Sequence, residues 1–303
     1  METRRGAPEL EPLHVVLLDT LPEGVWFADR EGIVRFWSKR TESITGFAAT
    51  EMLGARFSDF LSYCDETGRP VAVAPLKQTL DDERERCAPM FFLHKQGHRI
   101  AVEVRTMPLR SAAGEVIGAR EILSESRDKP ALLHRGRVLN QYGLWDAKIE
   151  NASREYMLNQ LEMRLEHFRE DGISTGALLI DIDHLGNQDR SLGREASDHL
   201  LAMVSRTTLL CIRFTDISGR WEDDSILAIM EASAIGNLEA AAERMRALIA
   251  ASSIRWWGQA VRITVTIAGT MFQTGDTSDS VMKRLMTTVE GGVQAGGDRV
   301  LMA

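Results

Sequence analysis

Cysteine is scarce in this sequence: its 303 residues include three, Cys64, Cys87 and Cys211. They lie far apart, and no two of them form a C-x-x-C pair. This pattern argues against a disulfide framework and against a zinc site built from closely spaced thiolates. It is typical of a protein from a reducing compartment, so we expect a cytoplasmic location.

Long apolar runs are also missing. The longest, Gly176–Ile180 and Ile263–Gly269, are far shorter than the roughly 20 residues that a membrane-spanning helix needs. The segment Met1–Glu11 contains two arginines and several acidic residues, but lacks the apolar stretch of a secretion signal. We therefore expect no membrane partner.

The sequence has no surplus of basic residues. It contains 36 Lys and Arg against 44 Asp and Glu, which gives a formal net charge of -8. A general nucleic-acid binder needs excess positive charge to displace phosphate counterions, so we expect no nucleic-acid partner. A local basic site for a small anionic ligand is compatible with this balance.

The length predicts two domains, each large enough to bury a core of its own. Within residues 12–125, a helical segment is followed by a hairpin signal around the turn Asp29–Gly32 and then by three further strand patterns. This order predicts an α+β domain with an antiparallel sheet and flanking helices. The strand patterns lie at 25–28, 33–37, 90–94, 99–109 and 115–123.

Residues 126–145 are charged and lack strand alternation, so we interpret them as a linker that is partly helical. In residues 146–303 helical and strand patterns alternate, which predicts a sheet with helices on both faces. The helices are expected near 150–170, 194–209, 237–251 and 279–294. The strands are expected at 177–183, around 212–231 as a hairpin, at 262–272 and at 298–302.

The first domain resembles a PAS sensor domain. The resemblance covers residues 12–125, and its most specific part is Trp37–Phe47, with the pattern aromatic-x-S-x-x-x-E-x-x-T-G-F. PAS domains enclose a ligand between sheet and helices, or they dimerise. The amphipathic segment Leu10–Leu21 therefore predicts a homodimer. The sequence names no ligand for this domain, because His94, His98 and Cys64 lack the surroundings of a cofactor site.

The second domain resembles the GGDEF domains, which condense two GTP molecules into cyclic di-GMP. Residues 179–201 align without gaps to the family pattern D-I-D-H-F-K-x-I-N-D-x-x-G-H-x-x-G-D. The match continues through Arg213–Asp216, Gly219–Trp221 and the strand Ile263–Ala268. The resemblance implies a nucleotidyl-cyclase-like sheet over residues 146–303.

The resemblance also implies roles for individual residues. The first Asp after the apolar strand and the next backbone carbonyl hold Mg²⁺ in the family, and here they are Asp181 and Ile182. Mg²⁺ binds through few carboxylates together with substrate phosphates. Two guanine contacts of the family fall at Asp189, where the family has Asn, and at Asp198. Mg²⁺ accompanying GTP is the one cofactor that this implies.

The signature turn departs from the family. In place of G-G-D/E-E-F the chain has Glu222, Asp223, Asp224, Ser225 and Ile226. The two glycines let the backbone approach the triphosphate, whereas the residues that replace them add two negative charges beside an anion. Asp224 retains the third carboxylate as a potential metal ligand, but Ser225 replaces the following catalytic Glu.

Two cations that contact phosphates in the family are also lost. The Lys and the Arg fall at Val293 and Gly297. A loss of two cations together with a gain of two carboxylates reverses the local electrostatics. We therefore expect no catalytic residues and treat the signature turn as vestigial. The string Gly296–Asp298 lies at the end of the domain and is not a second signature.

One family motif is intact. Arg213 and Asp216 match the R-x-x-D site that binds cyclic di-GMP in the family. The planar fork of Arg suits guanine or phosphate, and Asp can accept from the guanine edge. An exposed ion pair in a turn is the alternative interpretation.

The sequence therefore predicts an inactive PAS–GGDEF signalling protein that binds cyclic di-GMP and regulates a downstream protein partner. One rival is a divergent diguanylate cyclase that uses Asp181 and Asp224. The other is an interaction scaffold that binds neither nucleotide.

Overall fold

The computed structural model describes residues 12–125 and 129–303. The chain divides into two compact units, the second of which contains the residues from Arg127 to Ala303. Mixed helix and sheet are present in both, as predicted. Within the described residues no helix is both long and apolar enough to cross a membrane.

The first unit contains a six-stranded sheet in the order β2-β1-β6-β5-β4-β3. Its strands are β1 (Gly24–Asp29), β2 (Val34–Trp37), β3 (Tyr63–Cys64), β4 (Arg86–Leu93), β5 (Arg99–Arg110) and β6 (Val116–Glu125), and its helices are α1 (Pro12–Asp19), α2 (Lys39–Thr45), α3 (Ala49–Met52) and α4 (Pro75–Asp82). The predicted hairpin is confirmed: Asp29 Oδ1 accepts from the backbone N–H groups of Glu31 at 3.1 Å and Ile33 at 2.9 Å. A carboxylate that satisfies two turn donors fixes the β1–β2 connection.

Helix α1 lies against this sheet by one face. Val15 and Leu18 pack on the cluster of Val25, Phe27 and Phe36. The opposite face is apolar and exposed, with exposed fractions of 66% for Leu13, 58% for Val16 and 56% for Leu17. Leu10, with which we began the predicted amphipathic segment, lies outside the described residues.

The predicted linker contains helix α5 (Lys129–Gln141). It leads through β7 (Trp145–Asp146) and β8 (Asn151–Ala152) to α6 (Arg154–Asp171). Ser153 caps α6 by accepting from the N–H of Tyr156 at 3.4 Å.

The second unit is built on a seven-stranded sheet in the order β15-β14-β9-β11-β10-β8-β7. The remaining elements are β9 (Thr175–Ile182), α7 (Leu185–Leu192), α8 (Arg194–Cys211), β10 (Ile217–Arg220), β11 (Ser225–Glu231), α9 (Ile235–Ala250), β12 (Ile254–Trp256), β13 (Gln259–Val261), β14 (Val265–Met271), α10 (Ser278–Gln294) and β15 (Arg299–Met302). The predicted hairpin is confirmed as β10–β11. The strand predicted at 262–272 corresponds to β14. A small separate sheet, β12–β13, precedes it and was not predicted.

Strand β9 lies between β14 and β11 in the sheet, and both of its faces are buried. Ala177 and Leu179 belong to a core cluster that also contains Leu161 of α6 and Leu285 of α10. The alternate residues of β9 point to the other face, where α8 and α9 contact each other and α9 contacts β9. The near-continuous apolar sequence of β9 follows from this burial on both sides.

Candidate functional site

The acidic residues of the resemblance meet where β9 and β11 end. Asp181 is paired in register with Ser225, and the N–H of Ile182 donates to the carbonyl of Asp224 at 3.0 Å. The antiparallel ladder thus places the signature turn beside the end of β9. The sequence predicted this meeting of Asp181, Ile182 and Asp224.

Asp181 is a perturbed carboxyl group. Burial, together with the nearby carboxylates of Asp224, Asp183 and Glu222, raises its pKa to about 6. The end of β9 is therefore a region of negative potential that disfavours an additional anion.

Asp183 has a structural role in this arrangement. Its Oδ1 accepts from the hydroxyl of Thr266 at 2.7 Å, and its Oδ2 accepts from the hydroxyl of Thr264 at 2.7 Å and from the N–H of Asp298 at 2.9 Å. The residue is 4% exposed. Because both oxygens already have donors, this carboxylate ties β9 to the β14 and β15 region.

The signature turn is held by polar contacts of its own. The N–H of Glu222 donates to Oγ of Ser225 at 3.2 Å. Arg220 contacts Asp223 at 3.3 Å and Asp146 at 3.2 Å. Ser225 is buried, so the hydroxyl that replaces the family's catalytic Glu serves the turn and faces no solvent.

A Mg²⁺ ion in this region would depend on the two carboxylates of Asp181 and Asp224 and on phosphates supplied by a nucleotide. In the described part of the chain no group of three or more His, Cys, Asp or Glu side chains is placed to hold a metal ion. Asp181 and Asp224 are two carboxylates at the right place in the fold, but Asp183 is occupied by its own donors.

Of the two positions where the family has a phosphate-binding Lys or Arg, one has no room for a side chain in this structure. Gly297 has φ +74°, and a Cβ on it would lie 2.7 Å from Oδ1 of Asp183. An arginine, which the resemblance implies at this place, would be strained in this backbone. Val293 supplies no charge, so neither position can contact a phosphate as the family does.

The two guanine contacts of the resemblance lie in successive helices. Asp189 falls in α7, and its side chain lies outside the described part of the structure. Asp198 falls in α8 and lies 4.0 Å from Nζ of Lys148. The guanine site expected from Asp189 and Asp198 stays a prediction.

The R-x-x-D turn borders a cavity of about 680 Å³. This volume falls in the range of small-molecule sites. The polar groups that line it include Arg213, Asp216, Glu231, Asn237 and Arg244. Asp216 and Trp221, which lies beside the acidic signature turn, are separated by the four residues of β10, a distance of about 16 Å. This spacing exceeds the screening length at physiological salt, so the signature turn repels an anion in this cavity weakly.

Asp216 shapes the turn from inside. Its carboxylate accepts from the N–H of Arg213 at 2.9 Å and from the N–H of Glu231 at 3.3 Å, and it is 1% exposed. Burial raises its pKa, and the two N–H donors lower it in part. The side chain of Arg213, by contrast, is exposed. Asp216 therefore fixes the loop from which Arg213 projects.

The sequence analysis missed Arg244. This residue of α9 lines the same cavity as Arg213, and its Nη2 donates to the carbonyl of Cys211 at 3.0 Å. Its Nε is buried and has no hydrogen-bond partner among the described residues. In the sequence it is one of two arginines in an amphipathic helix, so only the tertiary packing reveals that it lines the same cavity as the R-x-x-D turn.

The first unit contains a buried carboxyl group whose pKa is also raised. Glu121 of β6 is fully buried, and its Oε1 accepts from Tyr63 Oη at 2.5 Å and from Trp26 Nε1 at 3.2 Å. Burial raises its pKa to about 7, while the two hydrogen bonds lower it in part. The sequence analysis did not find this carboxyl group, because an isolated Glu in a strand is usually exposed.

Comparison with protein families gives two matches. The model described as "Diguanylate cyclase, GGDEF domain" matches residues 146–298, just over half of the chain, and the model described as "PAS fold" matches residues 14–120. Both matches confirm the resemblances drawn from the sequence.

Two curated relatives match about half of the chain. Diguanylate cyclase DgcP of Pseudomonas aeruginosa is 24% identical over 163 residues, which are 54% of this chain and 24% of the relative. Response regulator PleD of Caulobacter vibrioides is 25% identical over 135 residues, which are 44% of this chain and 30% of the relative. The chain thus spans less than a third of the length of these two proteins.

Solved structures show the same fold. The coiled coil and GGDEF domain of DgcB from Caulobacter crescentus, in complex with c-di-GMP, matches with a TM-score of 0.52 at 20% identity, covering 58% of this chain and 96% of that one. The diguanylate cyclase SiaD of Pseudomonas aeruginosa, in complex with its activator SiaC, matches with a TM-score of 0.53 at 19% identity, covering 58% and 68%.

Proposed function

Since this chain belongs to the diguanylate cyclase GGDEF-domain family and has a PAS fold before that domain, we propose that it is a cyclic di-GMP receptor that does not make the nucleotide. In this proposal residues 12–125 sense a signal, residues 126–145 link the modules, and residues 146–303 bind cyclic di-GMP. The scattered cysteines favour a cytoplasmic site of action.

The cavity at the R-x-x-D turn carries the receptor proposal. It presents two arginines, Arg213 and Arg244, to a volume of about 680 Å³. A charge-assisted hydrogen bond from a guanidinium to a phosphate or guanine acceptor is stronger than a neutral one. Of the two acids nearby, Asp216 is bound by backbone N–H groups, and Glu231 forms an ion pair with Arg164 at 2.8 Å. Both carboxylates that line the cavity therefore already have hydrogen-bond or ion-pair partners other than Arg213 and Arg244.

The proposed lack of cyclase activity is supported by the region around the signature turn, which lies at the other end of β10 from the R-x-x-D turn. Asp181 lies among three other carboxylates, Ser225 supports the turn, and Gly297 leaves no room for a phosphate-binding cation. A triphosphate would meet negative charge where catalysis requires compensation by cations. The proximity of the Asp181 and Asp224 carboxylates favours the second candidate, a divergent cyclase, because the family's metal ligands at these two positions are retained.

We also propose that the first unit forms a homodimer through α1. The exposed apolar face of Leu13, Val16 and Leu17 is unusual for a short helix whose other face is already packed. A second copy of α1 offers the same face, and such self-complementary contacts are the commonest basis of dimers. The downstream protein partner is not identified by any residue pattern.

Calorimetric titration of the full chain with cyclic di-GMP tests the receptor proposal. We expect micromolar or tighter binding, which corresponds to roughly -8 kcal/mol. Arg213→Ala and Arg244→Ala should each weaken binding by about 1.5–3 kcal/mol, and Arg213→Lys should also bind poorly because an ammonium group cannot replace the fork. Arg255→Ala, an exposed arginine of β12, is the matched control. A folded wild-type protein that gives no heat with cyclic di-GMP would refute the receptor proposal and leave the scaffold and the divergent cyclase.

A further inference from the structure

The R-x-x-D turn (Arg213–Asp216) is bound by helix α5, which follows the first unit in the sequence. Arg135 of α5 donates through Nη1 to the carbonyl of Asp216 at 2.9 Å and through Nη2 to the carbonyl of Phe214. Its guanidinium carbon lies 4.7 Å from the centroid of the Phe214 ring. A single side chain therefore binds two carbonyl groups and the aromatic ring of a four-residue turn.

A second arginine binds the same turn from a helix that is packed in the core. Arg164 of α6 donates to the carbonyl of Thr215 at 2.8 Å and pairs with Glu231 at 2.8 Å. Helix α6 belongs to the main core of the second unit through Leu161 and Leu165. Three successive carbonyls of the turn are thus held by two arginines, of which only Arg135 lies on the linker helix.

Helix α5 is seated closely enough to transmit a displacement. A Cβ on Gly136 would lie 3.0 Å from the ring of Trp145, so the helix backbone packs directly on that indole. Leu139 is 6% exposed and belongs to the core cluster. Because Arg135 and Gly136 are adjacent on one rigid helix, a shift or rotation of α5 on Trp145 moves the guanidinium relative to the turn.

The chain connects this helix to the first unit directly. Strand β6 ends at Glu125 and α5 begins at Lys129. We infer that Arg135 is a positioning residue that couples the seating of α5 to the cyclic di-GMP site: the seated helix holds the turn in the form that presents Arg213, and displacement of the helix releases it. This inference rests on the proposed receptor function. By linkage, bound ligand must stabilise the seated helix to the same extent.

Amide hydrogen exchange and calorimetry on the full chain test this coupling. Without ligand, Arg135→Ala should exchange faster at residues 213–216 than Arg137→Ala, an exposed arginine two residues further along α5 that serves as the control. Arg135→Ala should bind cyclic di-GMP about 5- to 20-fold more weakly, in the range of ordinary coupling between sites. Arg135→Lys should fall between them, because one ammonium group cannot span both carbonyls.

The ligand-dependent readout separates coupling from a merely structural role. In the wild type, cyclic di-GMP should slow amide exchange in residues 129–141, and this protection should be absent in Arg135→Ala at saturating ligand. If Arg135→Ala and Arg137→Ala bind equally and ligand leaves α5 exchange unchanged, the coupling is wrong while the receptor function stands. If the wild type binds no cyclic di-GMP, both fall. Amide exchange at residues 213–216 that is unchanged in ligand-free Arg135→Ala would refute the claim that Arg135 holds the turn.

Discussion

Glu121 allows a quantitative test of the first unit, because its carboxyl group is buried with a donor on one oxygen only. Oε1 accepts from Tyr63 and Trp26, whereas Oε2 has no partner among the described residues. Glu121→Gln keeps an oxygen to accept both hydrogen bonds and removes the titration. The comparison between the two proteins therefore isolates the cost of a buried negative charge.

The sign follows from the direction of the pKa shift. The pKa of Glu121 rises from 4.5 to about 7 on folding, so between these values the folded protein keeps a proton that the unfolded chain has lost. The stability contributed by the protonated group is complete below pH 4.5 and is lost as the pH rises towards 7. At about 1.4 kcal/mol for each pKa unit, the wild type should lose roughly 2–3 kcal/mol between pH 5 and pH 8 relative to Glu121→Gln.

Urea unfolding of both proteins at several pH values measures this difference. The second unit also titrates, since the pKa of Asp181 is about 6, but its contribution is common to both proteins and cancels. The indole ¹⁵N–H resonance of Trp26 gives an independent pKa, because that N–H donates to the carboxyl group. Parallel stability curves, or an indole resonance that titrates near pH 4.5, would refute the reasoning.

Two further predictions concern association and the core of the second unit. Val16→Glu combined with Leu17→Glu should shift the full chain towards monomer in sedimentation experiments, whereas Leu53→Glu, another exposed apolar position of the first unit, should not; equal masses for all three proteins would exclude α1 as the interface. Asp183→Ala should lower the free energy of unfolding by about 1–3 kcal/mol, because it leaves buried donors unpaired, while Asp279→Ala at the exposed start of α10 should cost less than about 1 kcal/mol. Similar losses for the two aspartates would contradict the structural role of Asp183.

Most of the fold could be predicted from local patterns. Strand β9 is a nearly continuous apolar run and was predicted within two residues of its bounds. The β10–β11 hairpin was predicted with the correct end, but its start was placed five residues too early. The β12–β13 pair was missed because each strand has three residues and the segment merges in sequence with β14. Such short strands carry too few residues to show an alternation.

The candidate site was predictable only in part. Asp181, Asp224, Arg213 and Asp216 were found because a family pattern fixes their spacing. Arg135 was not, since its contact with the turn spans about 80 residues of sequence and depends on how a linker helix packs. Local spacing could not reveal that Asp216 is buried under two backbone donors.

The central claim is that the second module has kept a binding site for cyclic di-GMP and lost the chemistry that makes it. Incubation of the full chain with GTP and Mg²⁺, followed by chromatographic measurement of cyclic di-GMP over many hours, tests this most directly. We expect no product above the amount carried by the purified protein, and Asp181→Ala should give the same result. Steady formation of cyclic di-GMP by the wild type that disappears in Asp181→Ala would contradict the account and establish a divergent cyclase.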